Sequence, residues 1–353
     1  MTHPGRSPSS LLGTTVALLS LAAFGCKEAP KAGGPPAASA PTAASSAPPA
    51  SEAPSTSAER PVASASSATG ARPTAGATMK VLDAGQPPRR KLRYAWHLDQ
   101  KEQLAMDLRT AASTEARGAT QPEVSLPSVH VALAIDPQSV TPDGDLRYAW
   151  RVTSARSDAR DDTPSEVTEG MRAEVAAIAG LSGSAVVTSR GLAKDVTVDP
   201  GSSVEALTSQ MAEQVRQTLR DIAAPLPDEE VGAGARWRKL SQLDERGARV
   251  TQTETFRLVD LDGDRGTLAD ALAQTAPPQA LRAPATSPGA RARMESMLAS
   301  GEAKVRFDLS RLVPQTTFDG TTTMVLSGQS PGDSARSMKM VMHVFVAIAG
   351  SRR

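Results

Sequence analysis

An α+β fold is predicted here: a large curved antiparallel β-sheet or incomplete barrel, with one or two helices packed on it. Three observations predict it. Apolar and polar residues alternate along several segments, turn signals separate those segments, and helical spacing appears only near the middle of the chain.

The first alternating segment contains Leu92-Arg93-Tyr94-Ala95-Trp96, which recurs as Leu146-Arg147-Tyr148-Ala149-Trp150. Alternate side chains of a strand share a face. Leu92, Tyr94, Trp96 and Leu98 therefore line one face of the first copy, and Leu146, Tyr148, Trp150 and Val152 that of the second. Further strands are expected at Leu104–Leu108, Val129–Ile135 and Val305–Leu309, and a last one at Met338–Ile348, with Met338, Met340 and Met342 on one face. Pro142-Asp143-Gly144-Asp145, Asp319-Gly320 and Pro331-Gly332-Asp333 read as turns.

Two helices interrupt the strands. A short one is expected near Glu169–Ile178, before Gly180. A longer one follows Ser202, whose spacing to Glu205 suits a capping box. Val204, Leu207, Met211, Val215, Leu219 and Ile222 form its apolar stripe, and Pro225 fixes its end. Ala185–Val187 and Val196–Val198 read as a hairpin between the helices. Pro277–Gly289 reads as a long surface loop.

The ends of the chain differ from this body. Leu11–Phe24 is apolar or small throughout, with Arg6 before it and Gly25-Cys26-Lys27 after it, and Cys26 is the only cysteine among 353 residues. This layout resembles a bacterial lipoprotein signal peptide, in which cleavage precedes a cysteine whose thiol carries the lipid. Gly25 and Cys26 match that pattern, while Ala23 and Phe24 stand where it has leucine and a small residue. An ordinary secretory signal cut near Gly25 is the alternative. An uncleaved anchor is a third reading, but the run falls short of the roughly 20 apolar residues of a bilayer span. The resemblance implies a lipidated Cys26 and attachment to a membrane of the cell envelope. Lys27 in place of a retention aspartate implies the outer membrane, facing the periplasm.

The expected organisation is a signal peptide over 1–25, a lipidated cysteine with a disordered tether over 26–78, and one β-rich domain over 79–353, with the helical insert near 168–224. Residues 27–78 are mostly Ala, Ser, Pro, Thr and Gly, with no large aliphatic residue but Val62. Such a segment cannot bury enough apolar surface to offset its chain entropy. As a coil it would span about 40 Å.

Charge excludes some partners. The chain has 39 Lys and Arg against 38 Asp and Glu. Only Arg6 falls in the first 25 residues, so 38 of each sign would remain after cleavage. No basic stripe stands out, and nucleic acid is not an expected partner.

Motifs for chemistry are sparse. His97, His130 and His343 each stand alone, without the close ligand spacing of a metal site. Asp260-Leu261-Asp262-Gly263-Asp264 opens like a calcium loop. It then has Arg265 where glycine is required and Ala271 where a bidentate glutamate is required, so an acidic hairpin turn is expected. Gly180-Leu181-Ser182-Gly183-Ser184 lacks the second glycine of a nucleophile elbow, and neither a P-loop nor G-x-G-x-x-G occurs. No catalytic residue, metal or cofactor is assigned.

Two readings of the body follow. In the first, a membrane-tethered, non-enzymatic envelope lipoprotein uses its β-domain for structure or protein interaction. In the second, the sheet carries or senses a lipid or other apolar ligand, lined by Tyr94, Trp96, Tyr148, Trp150, Met338, Met340 and Met342. The curled sheet crossed by a helix resembles the lipid-carrier lipoproteins of the Lol system, which implies that second function.

Overall fold

In the computed structural model, residues 77–116, 118–161, 163–199, 215–245, 248–281, 291–329 and 336–352 are described. The signal peptide, Cys26, the tether as far as residue 76, the Ser202–Glu205 cap with Val204, Leu207 and Met211, and Pro331-Gly332-Asp333 lie outside them; the last tether residue, Thr78, opens a strand.

The chain begins with β1 (Thr78–Asp83), β2 (Glu102–Ala116), β3 (Ala119–Thr120), β4 (Val124–Ser125), β5 (Ser128–Val140) and β6 (Leu146–Asp158). Helix α1 (Ser165–Ala176) follows, then the hairpin β7 (Ser182–Val187) and β8 (Ala193–Val198). Residues 215–220 are helical and form α2. The second half holds β9 (Arg236–Glu245), β10 (Ala248–Asp262), β11 (Arg265–Ala276) and β12 (Gln279–Leu281). It ends in β13 (Arg291–Asp308), β14 (Gln315–Gln329) and β15 (Arg336–Arg352).

All the strands join one antiparallel sheet in the order β1-β9-β10-β11-β13-β14-β15-β2-β5-β6-β7-β8, with β3 and β4 on β2 and β12 on β13. β1 and β8 are its two ends, so it is not closed into a barrel. It is strongly curled: one continuous core joins Met79 and Val81 of β1, through the central strands, to Val196 and Val198 of β8. Arg190, at the tip of the β7–β8 hairpin, reaches the Met79 sulfur at 3.7 Å and donates to the Leu226 carbonyl at 3.1 Å. A sheet this large curls because each strand twists and its apolar face must be covered. The α2 stripe of Val215, Leu219 and Ile222 is buried in the same core. α1 packs on β6.

The alternating segments from Leu104 onward reappear as strands, β1, β9, β10, β11 and β14 add to them, and three expectations differ. The first pentapeptide copy is not a strand: residues 91–97 have no ladder, although Leu92 and Tyr94 are buried. Its backbone is shared between two places, Tyr94 N–H donating to Ser189 at 2.7 Å and Ala95 N–H to Leu309 at 2.8 Å. The segment thus crosses one end of the curled sheet instead of lying in it, and Leu98 is exposed. Asp319-Gly320 is not a turn but the middle of β14, where Gly320 pairs with Gly301. A Cβ at Gly320 would stand 2.4 Å from the Phe318 ring, and one at Gly301 2.6 Å, so the ring occupies the room both glycines leave. The loop expected from Pro277 contains β12, which pairs with β13.

Candidate functional site

Along the inner face of the sheet, polar residues recur in phase with the apolar ones. In β9 the order is Trp237, Lys239, Ser241; in β10 it is Phe256, Glu254, Gln252; in β11 it is Leu268, Asp270, Leu272, Gln274. Register makes neighbours of Lys239 and Glu254, and of Gln252 and Gln274. The result is a buried polar belt that separates two cores. On one side lie the aromatic and aliphatic residues of the main core. On the other Met294, Met297, Met324, Met340 and Met342 gather with Ala112 and Val250.

Lys239 is the centre of the belt. Its Nζ stands 2.9 Å from Asp221, just after α2, and 3.0 Å from Glu254. Burial pulls the ammonium down, but the two carboxylates outweigh it and hold Lys239 above the usual lysine range. A lysine held charged is neither a nucleophile nor a base. Two carboxylates against one ammonium already leave a buried negative charge. Asp270, beside them, is accordingly held well above the ordinary carboxylate range, first by burial and then by Glu254. Lys239 and the backbone N–H groups of Thr255 and Ala271 pull the other way. Gln274 donates to Gln252 at 2.7 Å and continues the belt. The arrangement pins the end of α2 to the sheet wall and favours the neutral form of Asp270.

No protein-family model and no curated protein matches this sequence.

The residues expected to line a ligand cavity are split between the two cores. Tyr94, Tyr148 and Trp150 are buried in the main core, with Trp96 packed against it; Met340 and Met342 are buried in the second core, with Met338 packed against it. Tyr94 and Trp96 stack with ring centroids 4.6 Å apart. The Tyr94 hydroxyl donates to Ala224 at 3.1 Å, and burial raises the pKa of Tyr94 and of Tyr148.

The three histidines are not brought together. His97 is exposed. His343 faces Thr321 at 3.1 Å and Glu123 at 3.6 Å. His130 lies between Asp107, which meets Nδ1, and Asp158, 3.2 Å from Nε2. Carboxylates on opposite nitrogens of one ring cannot share a metal with it. Among the described residues no group of three ligating side chains could hold a metal ion. Asp260–Gly266 forms the tight β10–β11 connection, and Asp264 is paired with Arg90 at 3.1 Å.

The polar belt was missed in the sequence because each of its members looks ordinary alone. Its signal is a charge or amide standing in phase with the buried face of a strand.

Proposed function

We propose that the chain is a non-enzymatic, lipid-anchored envelope lipoprotein whose β-domain has a structural or protein-interaction role. The observation that carries this reading is the filled inner face. Tyr148, Trp150, Met340 and Met342 are each at most 2% exposed, whereas a carrier must bare such residues to its ligand. The belt supports it too: pinning α2 through Lys239 gives the helix a fixed seat instead of a lid's freedom. Attachment rests on Cys26 at the end of the Leu11–Phe24 run, and the near-equal charges make lipid, not basic residues, the means of holding the membrane.

The carrier reading keeps one observation in its favour. The second core is built largely of methionine, whose flexible side chains repack readily around an apolar guest.

One variant tests both. Cys26→Ser in the full chain is expected to leave the membrane fraction; its retention there would overturn the anchor. Native mass spectrometry of the released protein should show the bare chain mass. A lipid held in stoichiometric amount would overturn the interaction reading in favour of the carrier.

A further inference from the structure

We propose that the outer face of the sheet binds a short zwitterionic peptide, its carboxylate held by Lys304 and Arg306 and its ammonium by Asp107. A groove of about 250 Å³ opens there across β13, β14, β15 and β2. One row of its lining is a register line, Lys304 to Thr317 to Ala347 to Asp107. Ala347 and Ala349 give the middle a floor of methyl groups.

The charges at its two sides are opposite. Lys304 and Arg306 are exposed, two residues apart on one face of β13, which places them about 7 Å from each other. Neither has an ion-pair partner among the described residues, whereas Arg293 on the same strand is paired with Glu295 at 3.2 Å. Gln315 and Thr317, their cross-strand partners, add neutral donors. On the opposite side Asp107 accepts from His130, its ion-pair partner, at Oδ1, and Oδ2 makes no hydrogen bond among the described residues.

A bare anion would satisfy only one side of this groove, and an apolar ligand neither. Three strand steps separate the two sides, about 14 Å at the backbone. An extended tripeptide covers about 10 Å of that, and the long Lys304 and Arg306 side chains supply the rest by leaning inward. Small side chains on the peptide fit the alanine floor.

The proposal gives the interaction reading a ligand class and rests on that reading for its setting. The test is calorimetric titration of the full-length Cys26→Ser protein with trialanine, N-acetyl-trialanine and trialanine amide. Trialanine should bind, and either cap should weaken binding about tenfold, the loss of one charge-assisted contact. Lys304→Ala with Arg306→Ala should make trialanine and its amide equivalent. Asp107→Asn should make trialanine and its acetyl form equivalent. Circular dichroism melts confirm that both variants stay folded. No binding of trialanine, equal binding of all three peptides, or an acetyl form as tight as trialanine would overturn the site. None of those results alters the membrane release or the mass of the Cys26→Ser protein, so the two proposals fail separately.

Discussion

Lys239 and Glu254 face each other as a register pair of β9 and β10, 3.0 Å from nitrogen to oxygen, with both side chains under a tenth exposed. A buried pair of this kind is costly to break from one side, because the surviving charge stays in the interior. Lys239→Met should therefore destabilise the protein by about 3–5 kcal/mol in urea denaturation. Lys239→Met combined with Glu254→Leu should recover most of that loss, since Asp221 retains access to water. A double variant as unstable as the single one would show that the pair does not account for the cost.

Asp270 sets a pH dependence. Its carboxyl is raised above the ordinary 3.8 in the folded chain, so between that value and the folded one the native state binds more protons than the unfolded state. Stability consequently falls as pH rises through this window and levels above it. Glu102, raised by burial against the backbone N–H groups of Leu312 and Val313, adds a slope of the same sign. Asp270→Asn should match the wild type near pH 4 and be the more stable of the two at higher pH, in melts taken across the range. A constant difference between them would rule the titration out.

Phe318 and the two glycines beneath it form one unit. Gly320→Ala should cost about 1–3 kcal/mol by overpacking, because the new methyl meets the ring 2.4 Å away. In a Phe318→Leu background the same change should cost less. A double-mutant cycle reads the difference as coupling, and additivity would place the cost elsewhere.

The methionine core offers a contrast in size. Met342→Ala should lose about 2–5 kcal/mol through the space it leaves, whereas Met342→Leu should lose less than about 1.5 kcal/mol. Met342 is fully buried, so a small loss for alanine would mean that neighbouring side chains, or a guest, refill the site.

Much of this fold was legible because alternation marks the faces of a strand before its partners are known. β2, β5, β6, β13 and β15 lie where the alternating segments do. Leu92 and Tyr94 carry the same alternation yet form no strand, since the segment's N–H groups divide between two places, Tyr94 donating to Ser189 and Ala95 to Leu309. Asp319-Gly320 has the composition of a turn, and only the placement of Phe318 explains a glycine inside β14. The polar belt was missed, although part of its signal is present in the sequence. The phase of Lys239, Glu254, Asp270, Gln252 and Gln274 marks them as inward-facing, but which of them meet depends on register, which no single strand encodes.

The place of β15 in the sheet has a consequence for how the chain folds. It lies between β14 and β2, and its pairing with β2 joins Arg352 to Glu102. Without it, the order falls into two separate ribbons, β1-β9-β10-β11-β13-β14 and β2-β5-β6-β7-β8. Such distant pairing slows folding, since the ends must meet before any contact rewards them. The nascent chain cannot complete its sheet until its last seventeen-residue strand has been made. β15 thus acts as a timer: each ribbon can form early, but the sheet that joins them cannot.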